Sequence, residues 1–436
     1  MNFDPILLVY AAPLVALWAV WIITTKRRSH QALAVLKDNL AAGLNEPSTL
    51  HPVIDPALCL GCGACARACP EKTVLGIIDG KAILIEPTMC VGHGACQAAC
   101  PTKAISLVFG TATRGVDLPV LSPDFETTVA GIFVAGELGG MGLIKNAIEQ
   151  GRQAVASAAA RAKHVNGGVD VLDLVIVGCG PAGISASLGA LERGLSFETI
   201  DQASLGGSIA HFPRGKVVMT APAQLPIVGE VKFGEISKER LLTFWTDVIA
   251  RTKLKPRFEE QVTAINRIGD HFEVRSSKGR YLAKSVVLAI GRRGTPRPLG
   301  VPGEELDKVY YRLIDPEQFA GQRVLVVGGG DSALEAAAML AMEPGTQVTL
   351  SYRGDAYTRA RQKNRERVAE LAGTRRMTEL LGSRIIRIDP DSVTLEWRGE
   401  TQVIANHTVI ICAGGLLPTQ FLHDIGVGVE TKFGTV

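Results

Sequence analysis

Twice in this chain a run of aliphatic residues ends in a glycine-rich turn that opens a helix. The first is VLDLVIV followed by GCGPAGISASLGALERG, residues 171–194, and the second is QRVLVVGGGDSALEAAAMLA, residues 322–341. A strand this apolar is buried on both faces, so each unit requires a parallel, doubly wound sheet with helices on either side. In the first unit Gly178, Gly180 and Gly183, with Pro181 and Ala182 between them, allow a pyrophosphate to approach a helix N-terminus. Asp201 follows 23 residues after Gly178, at the end of the apolar stretch LSFETID, where a carboxylate takes ribose hydroxyls. The second unit repeats the pattern with Gly328, Gly330, Asp331, Ser332 and Ala333. Its next strand, TQVTLSYRGDAYTRAR, has no acid where Asp201 stood and offers Arg353, Arg359 and Arg361 instead. Guanidinium groups suit the 2′-phosphate of NADP(H), whereas a carboxylate suits the 2′-hydroxyl of NAD(H). Between the two units, 258–290 alternates apolar and polar residues and reads as a small antiparallel meander.

A different pattern occupies residues 50–108. CLGCGACARACP (59–70) and CVGHGACQAACP (90–101) match at eight of twelve positions and start 31 residues apart. Seven of the nine cysteines lie between Cys59 and Cys100, which is a metal-site distribution and not a disulfide framework. Between the copies, LGIIDGKAILI places Asp79-Gly80 at a hairpin turn. So small a unit has little core of its own and depends on what it binds for stability.

The run Cys59-x2-Cys62-x2-Cys65-x3-Cys69-Pro70 resembles the bacterial two-cluster ferredoxin pattern, in which the fourth cysteine of each run ligates the other cluster. That resemblance implies one [4Fe–4S] cluster on Cys59, Cys62, Cys65 and Cys100. It implies a second on Cys69, Cys90 and Cys96, with His93 at the remaining corner. The alternatives for the second site are a [3Fe–4S] cluster with His93 as bystander, or a site without metal; zinc is the alternative for both sites. A neutral imidazole in place of a thiolate removes about one negative charge, so the expectation is one low-potential cluster and one of higher potential.

The amino-terminal stretch Ile6–Thr24 is a nineteen-residue run without charge, followed by Lys26, Arg27 and Arg28. This predicts a single-pass helix in the cytoplasmic (inner) membrane, with the bulk of the chain on the cytoplasmic side. A net charge of +3 without a basic stripe excludes nucleic acid as a partner.

Residues 171–436 resemble the thioredoxin-reductase-like family of two-dinucleotide flavoproteins, which bind FAD in one domain and NAD(P)H in an inserted one. VVLAIGRRGTPRP (286–298), containing Gly291, resembles the family's crossover between domains, and HTVIICAGGLLPTQFL (407–422) its return to the FAD domain. Thioredoxin reductases proper carry a Cys-x-x-Cys pair ahead of the second glycine motif. Here that region, KVYYRLIDPEQFAGQRVLVVGGG, has no cysteine, which argues against dithiol chemistry. The family's closing block, T-x-x-x-G-I-F-x-A-G-D and a helix, does not follow the return segment. It stands upstream as TTVAGIFVAGELGGMGLIKNAIEQGRQ (127–153), with Gly136 and with Glu137 in place of the Asp. A circular permutation accounts for this order. The block then completes its own FAD site or that of a neighbour in a homodimer, and the sequence leaves both open.

The expected class is therefore α/β: two doubly wound nucleotide-binding domains, a small α+β ferredoxin-like domain and one transmembrane helix. The expected divisions are an anchor at 1–28, a linker at 29–49, a two-cluster domain at 50–110 and a permuted FAD segment at 111–165. An FAD domain at 166–298, an NAD(P) domain at 299–404 and a return segment at 405–436 complete the chain. The expected activity is electron transfer between NADPH, FAD, two iron–sulfur clusters and an external ferredoxin, cytochrome or quinone, as in a ferredoxin–NADP reductase. A quinone reductase, a disulfide reductase and a non-enzymatic redox sensor are the rival readings.

Overall fold

The computed structural model describes residues 5–434, except 42, 43, 45, 48, 49, 91, 167, 169, 220, 221, 293, 359 and 375. These fall into two compact units, residues 1–113 with 434–436, and residues 114–433.

The first unit begins with one uninterrupted helix, α1 (Pro5–Ala41). Its C-terminal half is not a connector. Ala32 is buried with Ile78 and Ile85 of the hairpin region, and Leu33, Val35 and Leu36 pack against them. The Asn39 side chain donates to the Ile85 carbonyl at 3.0 Å, and the Asp79 N–H donates to Ser29 Oγ at 3.2 Å. The linker expected over 29–49 is thus helix as far as Ala41. The spanning anchor expected over 1–28 is also not found: among the described residues no helix is long and apolar enough to cross a membrane. The helix that carries the apolar run contains Pro13 and continues through Lys26, Arg27 and Arg28 into the half that packs on the hairpin region.

The rest of this unit is small and two-fold. Strands Leu75–Ile78 and Lys81–Leu84 pair antiparallel about the Asp79-Gly80 turn, and His51–Ile54 pairs antiparallel with Ile105–Val108. Two short helices, α2 (Ala64–Ala68) and α3 (Ala95–Ala98), each start from a glycine in the middle of a cysteine run. Cys59, Cys65, Cys90 and Cys96 are themselves part of the buried core, beside Val74, Leu75 and Ile105.

The second unit is built on two larger sheets, with smaller antiparallel sheets beside them. In the first, Leu172–Val177 lies parallel between Phe197–Ile200 and Arg280–Leu288. The meander Val262–Ile268, His271–Ser276 and Arg280–Leu288 joins this sheet through its last strand. Strand Ile132–Val134 pairs parallel with Val286–Leu288, so the upstream block enters the sheet of its own chain. The helix that follows it, α4 (Ile144–Ala162), packs along α5 (Pro181–Glu192). Phe133, Ala154, Val155, Ala158, Ile176 and Ala186 share one core there. A further helix, α6 (Lys238–Thr252), buries Leu241, Trp245 and Val248 against a separate apolar cluster.

The second sheet is parallel throughout, in the order Val309–Tyr310, Thr408–Ile411, Arg323–Val327, Gln347–Tyr352, Met377–Leu381. Helices α7 (Asp331–Met342) and α8 (Gln362–Ala372) cover it. The return segment expected over 405–436 therefore begins too early, because Thr408–Ile411 is hydrogen-bonded to Val324–Val327 as a central strand of this sheet. Its four buried residues, TVII, fit a central parallel strand of either sheet, and only the pairing partner decides.

Candidate functional site

The cysteine runs bring their donors together across the unit. Cys69, from the first run, lines one cavity with Cys90, His93 and Cys96 of the second. The backbone turns sharply after Cys69, whose C=O accepts from the Lys72 N–H at 3.2 Å, and this carries Glu71 to the same cavity wall. Glu71 is a residue the sequence pattern did not single out. Cys90 is buried, and that burial, reinforced by Cys96, Cys69 and Glu71, pushes its thiol up to about 11. Burial raises Cys65 and Cys96 as well, with Cys59 adding to the first and Cys69 to the second. Around the other loop, the Gly61 and Ala82 N–H groups each donate to Cys59 Sγ at 3.4 Å. The Ala104 N–H donates to Cys100 Sγ at 3.3 Å, and Cys100 packs against the apolar cluster that holds Cys59 and Cys65. Cys62 is exposed. Among the described residues no three His, Cys, Asp or Glu side chains close on a single metal ion. Thiols from separate elements around a cavity, with backbone N–H groups aimed at sulfur, are a donor set that fits iron–sulfur clusters.

In the second unit the first glycine turn is shaped by close approach. A Cβ on Gly183 would stand 1.8 Å from the Gly178 carbonyl oxygen, so only glycine lets α5 start against the end of its strand. Asp201, at the end of the neighbouring strand, accepts the Cys179 N–H at 2.6 Å and the Ala203 N–H at 2.8 Å. Burial raises its carboxyl against those two donors. Gly136 lies beside the same turn. A Cβ there would be 3.0 Å from the Ala182 Cβ, and its N–H donates to Gln150 of α4 at 2.8 Å. Next to it, burial lowers the Arg292 guanidinium, opposed by Glu137 and Asp117, and Arg292 donates to the Asp117 carbonyl at 3.2 Å. Gly291, one residue earlier, reaches toward Ser208. Glycine turn, buried ribose-seeking acid and Gly136 thus converge on one mouth of the sheet and fit FAD. Cys179 within this turn is buried, and that burial pushes its thiol up to about 12, so it carries no thiolate near neutral pH.

The second glycine turn ends in Asp331, the first residue of α7. Its carboxylate accepts the Arg361 N–H at 2.8 Å and the Asn364 side chain at 2.7 Å, with the Arg361 guanidinium 3.7 Å away. Arg353 is exposed at the end of its strand, and Arg359 lies outside the described residues. Four participants here were not foreseen. Asn364 also donates to Glu335 at 3.2 Å, Glu335 pairs with Lys216 at 2.6 Å, and the Tyr352 ring lies against Gly329. These groups meet only through the packing of α7 on α8 and the approach of the loop that carries Lys216, which no local pattern encodes.

Residues 175–434 match the pyridine nucleotide-disulphide oxidoreductase family, and residues 51–101 match the 4Fe–4S dicluster domain. The chain belongs to the pyridine nucleotide-disulphide oxidoreductase family. It is an NAD(P)H-dependent flavin oxidoreductase that carries an iron–sulfur unit ahead of its reductase domain. It is similar to a ferredoxin–NADP reductase of Ignicoccus hospitalis, 29% identical over 265 residues, covering 60% of this chain and 83% of that one. A ferredoxin–NADP reductase of Thermus thermophilus is 29% identical over 273 residues, covering 60% and 78%. Bacilliredoxin reductase Bdr of Bacillus subtilis is 27% identical over 270 residues, covering 60% and 82%. Among solved structures, bacillithiol disulfide reductase Bdr from Staphylococcus aureus shares the fold, with a TM-score of 0.53 at 24% identity over 59% of this chain and 80% of that one. The family match starts at residue 175, so the block 127–153 lies outside it.

Proposed function

We propose that this chain is an electron-transfer enzyme moving electrons between NADPH, FAD, two iron–sulfur clusters and an external one-electron carrier. The observation that carries this reading is the shared cavity of Cys69, Cys90, His93 and Cys96, a donor from one run facing three from the other. It supports the crossed arrangement, with Cys59, Cys62, Cys65 and Cys100 around one cluster and Cys69, Cys90, Cys96 and His93 around the second. FAD, when bound, takes two electrons together and releases them one at a time, which is the traffic two clusters require. On the protein side, Gly178, Gly180, Pro181, Ala182 and Gly183 admit the pyrophosphate. Asp201 takes ribose hydroxyls, and Gly136, Glu137 and Gly291 line the approach to the flavin. Gly328, Gly330, Ser332 and Ala333 admit the second dinucleotide, Asp331 orients Arg361, and Arg353, Arg359 and Arg361 favour a 2′-phosphate. No side-chain acid or base is required. The names of the similar ferredoxin–NADP reductases support the same reading.

The similar bacilliredoxin reductase makes disulfide reduction the rival. It is disfavoured because the buried Cys179 holds its proton, with its thiol pushed up to about 12. Anaerobic titration with NADPH and with NADH, following flavin absorbance and cluster EPR signals, tests the proposal. Flavin and both clusters are expected to be reduced, with NADPH effective at lower concentration. Flavin reduction with no electron reaching any cluster would overturn it.

A further inference from the structure

We propose that electrons enter or leave through the exposed rim of the first cysteine loop, and that the partner docking there is an acidic one-electron carrier protein. The proposal rests on the cluster arrangement proposed above and adds the face and the chemistry of the partner. Cys62 is exposed, and the leucines on either side of Cys59 are turned outward, Leu58 at 50% and Leu60 at 72%. Two cations are fixed to the backbone of this loop. Arg67 donates to the Cys62 carbonyl at 3.1 Å, and Lys81 donates to the Cys59 carbonyl at 2.8 Å. The hairpin turn borders the same loop, since a Cβ on Gly61 would stand 2.0 Å from the Gly80 carbonyl oxygen. That turn touches Ser29 of α1, and the exposed Lys26, Arg27 and Arg28 lie within one helical turn of Ser29. Against these cations stand two exposed acids, Asp55 beside the loop and Asp79 in the turn.

The second loop also exposes its ligand position, His93, but differs in charge. Thirty-one residues on, Arg67 becomes Ala98 and Leu58 becomes Met89, while Glu71 lines the cavity of the second site. The repeat therefore diverges in charge, and the first loop sets an exposed apolar centre beside cations anchored to its backbone. Such a centre with a charged rim is how a transient protein interface is built, with the charge setting encounter rate and the apolar contacts setting residence. An anionic lipid surface would also be drawn to the cations, but it has no use for an exposed cluster ligand at their centre. In the reducing direction the exchange balances as one NADPH giving NADP+, one proton and two electrons. Each electron reduces one oxidised carrier, so two carriers are reduced per NADPH and no bond to the carrier forms.

The test uses the full chain with its cofactors, anaerobically, and follows NADPH-driven reduction of two probes. One is a strongly acidic [2Fe–2S] ferredoxin and the other the cationic cytochrome c. In the wild type, ferredoxin reduction is expected to slow steeply with added salt. Arg67→Glu with Lys81→Glu is expected to slow ferredoxin reduction ~10-fold or more and to flatten its salt dependence, while cytochrome c reduction speeds up. Leu60→Ser is expected to raise KM for ferredoxin and leave the salt slope intact. Flavin reduction by NADPH and cluster EPR intensity remain at wild-type levels throughout. If the charge reversals reduce cluster content, Arg67→Gln with Lys81→Gln takes their place, with the same outcome expected at smaller size. Wild-type ferredoxin kinetics in a variant with intact clusters would overturn the proposal. So would loss of binding to phosphatidylglycerol vesicles with ferredoxin kinetics unchanged, which would make the rim a lipid surface. Failure of NADPH to reduce any cluster in the wild type would instead remove the arrangement on which the proposal rests.

Discussion

His93 and Glu71 line one cavity, and in the cluster arrangement proposed above they would act in opposite directions. An imidazole in place of a thiolate removes negative charge from the cluster it would ligate and so raises its potential, while a carboxylate on the cavity wall lowers it. For His93→Cys the potential of that cluster is expected to fall by ~100–350 mV, about half the span seen when two ligands change. Glu71→Gln is expected to raise it by less. EPR-monitored redox titration reads both, and two unmoved midpoints would remove His93 and Glu71 from the site. His93 was legible because it breaks a repeat. Glu71 was not, since nothing in CPEK says that the turn after Cys69 aims it inward. Buried polar residues of the reductase unit were equally illegible. Glu260 is one of them, accepting from Tyr281 at 2.7 Å and from Ser276. Burial, then the hydrogen bond and charge of Glu260, push the Tyr281 phenol from 10.0 to about 12. A folded-state value above the unfolded one means this contribution is whole below pH ~10 and is lost as pH rises through about 12. Tyr281→Phe is expected to cost ~1–3 kcal/mol at neutral pH by leaving Glu260 short of a donor. The same variant is expected to lose part of the alkaline slope, which denaturant melts from pH 8 to 12 would show.

At the scale of elements, α1 and α4 show what sequence conveys and what it does not. The block 127–153 could be placed because its motif matches a known one, and in the structure its strand pairs with Val286–Leu288. The tightness of α4 on α5 is legible only in space: a Cβ on Gly151 would stand 2.1 Å from the Ala182 carbonyl oxygen. Gly151→Ala pushes the helices apart where Gly136 and the first glycine turn meet. The expected cost is ~1–3 kcal/mol, with weakened flavin retention, measured by thermal melts and bound-flavin absorbance. In α1 the apolar run invites a membrane reading, whereas the half that makes the contacts carries a short apolar stripe, Ala32, Leu33, Val35 and Leu36, among polar residues. Leu14, Leu17, Trp18, Trp21 and Ile23 are exposed, whereas the contacts to the hairpin come from Ser29 through Asn39. Removing residues 1–24 is therefore expected to leave cluster absorption unchanged. Removing 1–41 uncovers Ile78 and Ile85 and is expected to speed cluster loss in air.

At the scale of the whole molecule, chain order and spatial order disagree, and the disagreement can be tested by where the chain is cut. Residues 114–433 form one unit that includes strand Ile132–Val134, α4 and the pairing of Val116–Pro119 with Val429–Lys432. A fragment cut by homology would start near residue 166, just ahead of the family match, and would discard that strand and helix. It would expose the faces that now bury Ile132, Phe133, Val134, Ile148 and Val155, all nearly inaccessible to solvent. At about 1.5–3 kcal/mol for each large side chain, these five contribute roughly 7–15 kcal/mol, as much as the whole stability of an ordinary domain. The cut would also remove Gly136 from beside Ala182, at the mouth assigned to FAD. A fragment spanning 114–436 is therefore expected to purify yellow, to melt cooperatively and to be reduced by NADPH. A fragment spanning 166–436 is expected to be colourless and insoluble. The ratio of flavin absorbance to protein absorbance in each purified fragment decides the matter, and a 166–436 fragment holding one flavin per chain would show that the upstream block is dispensable.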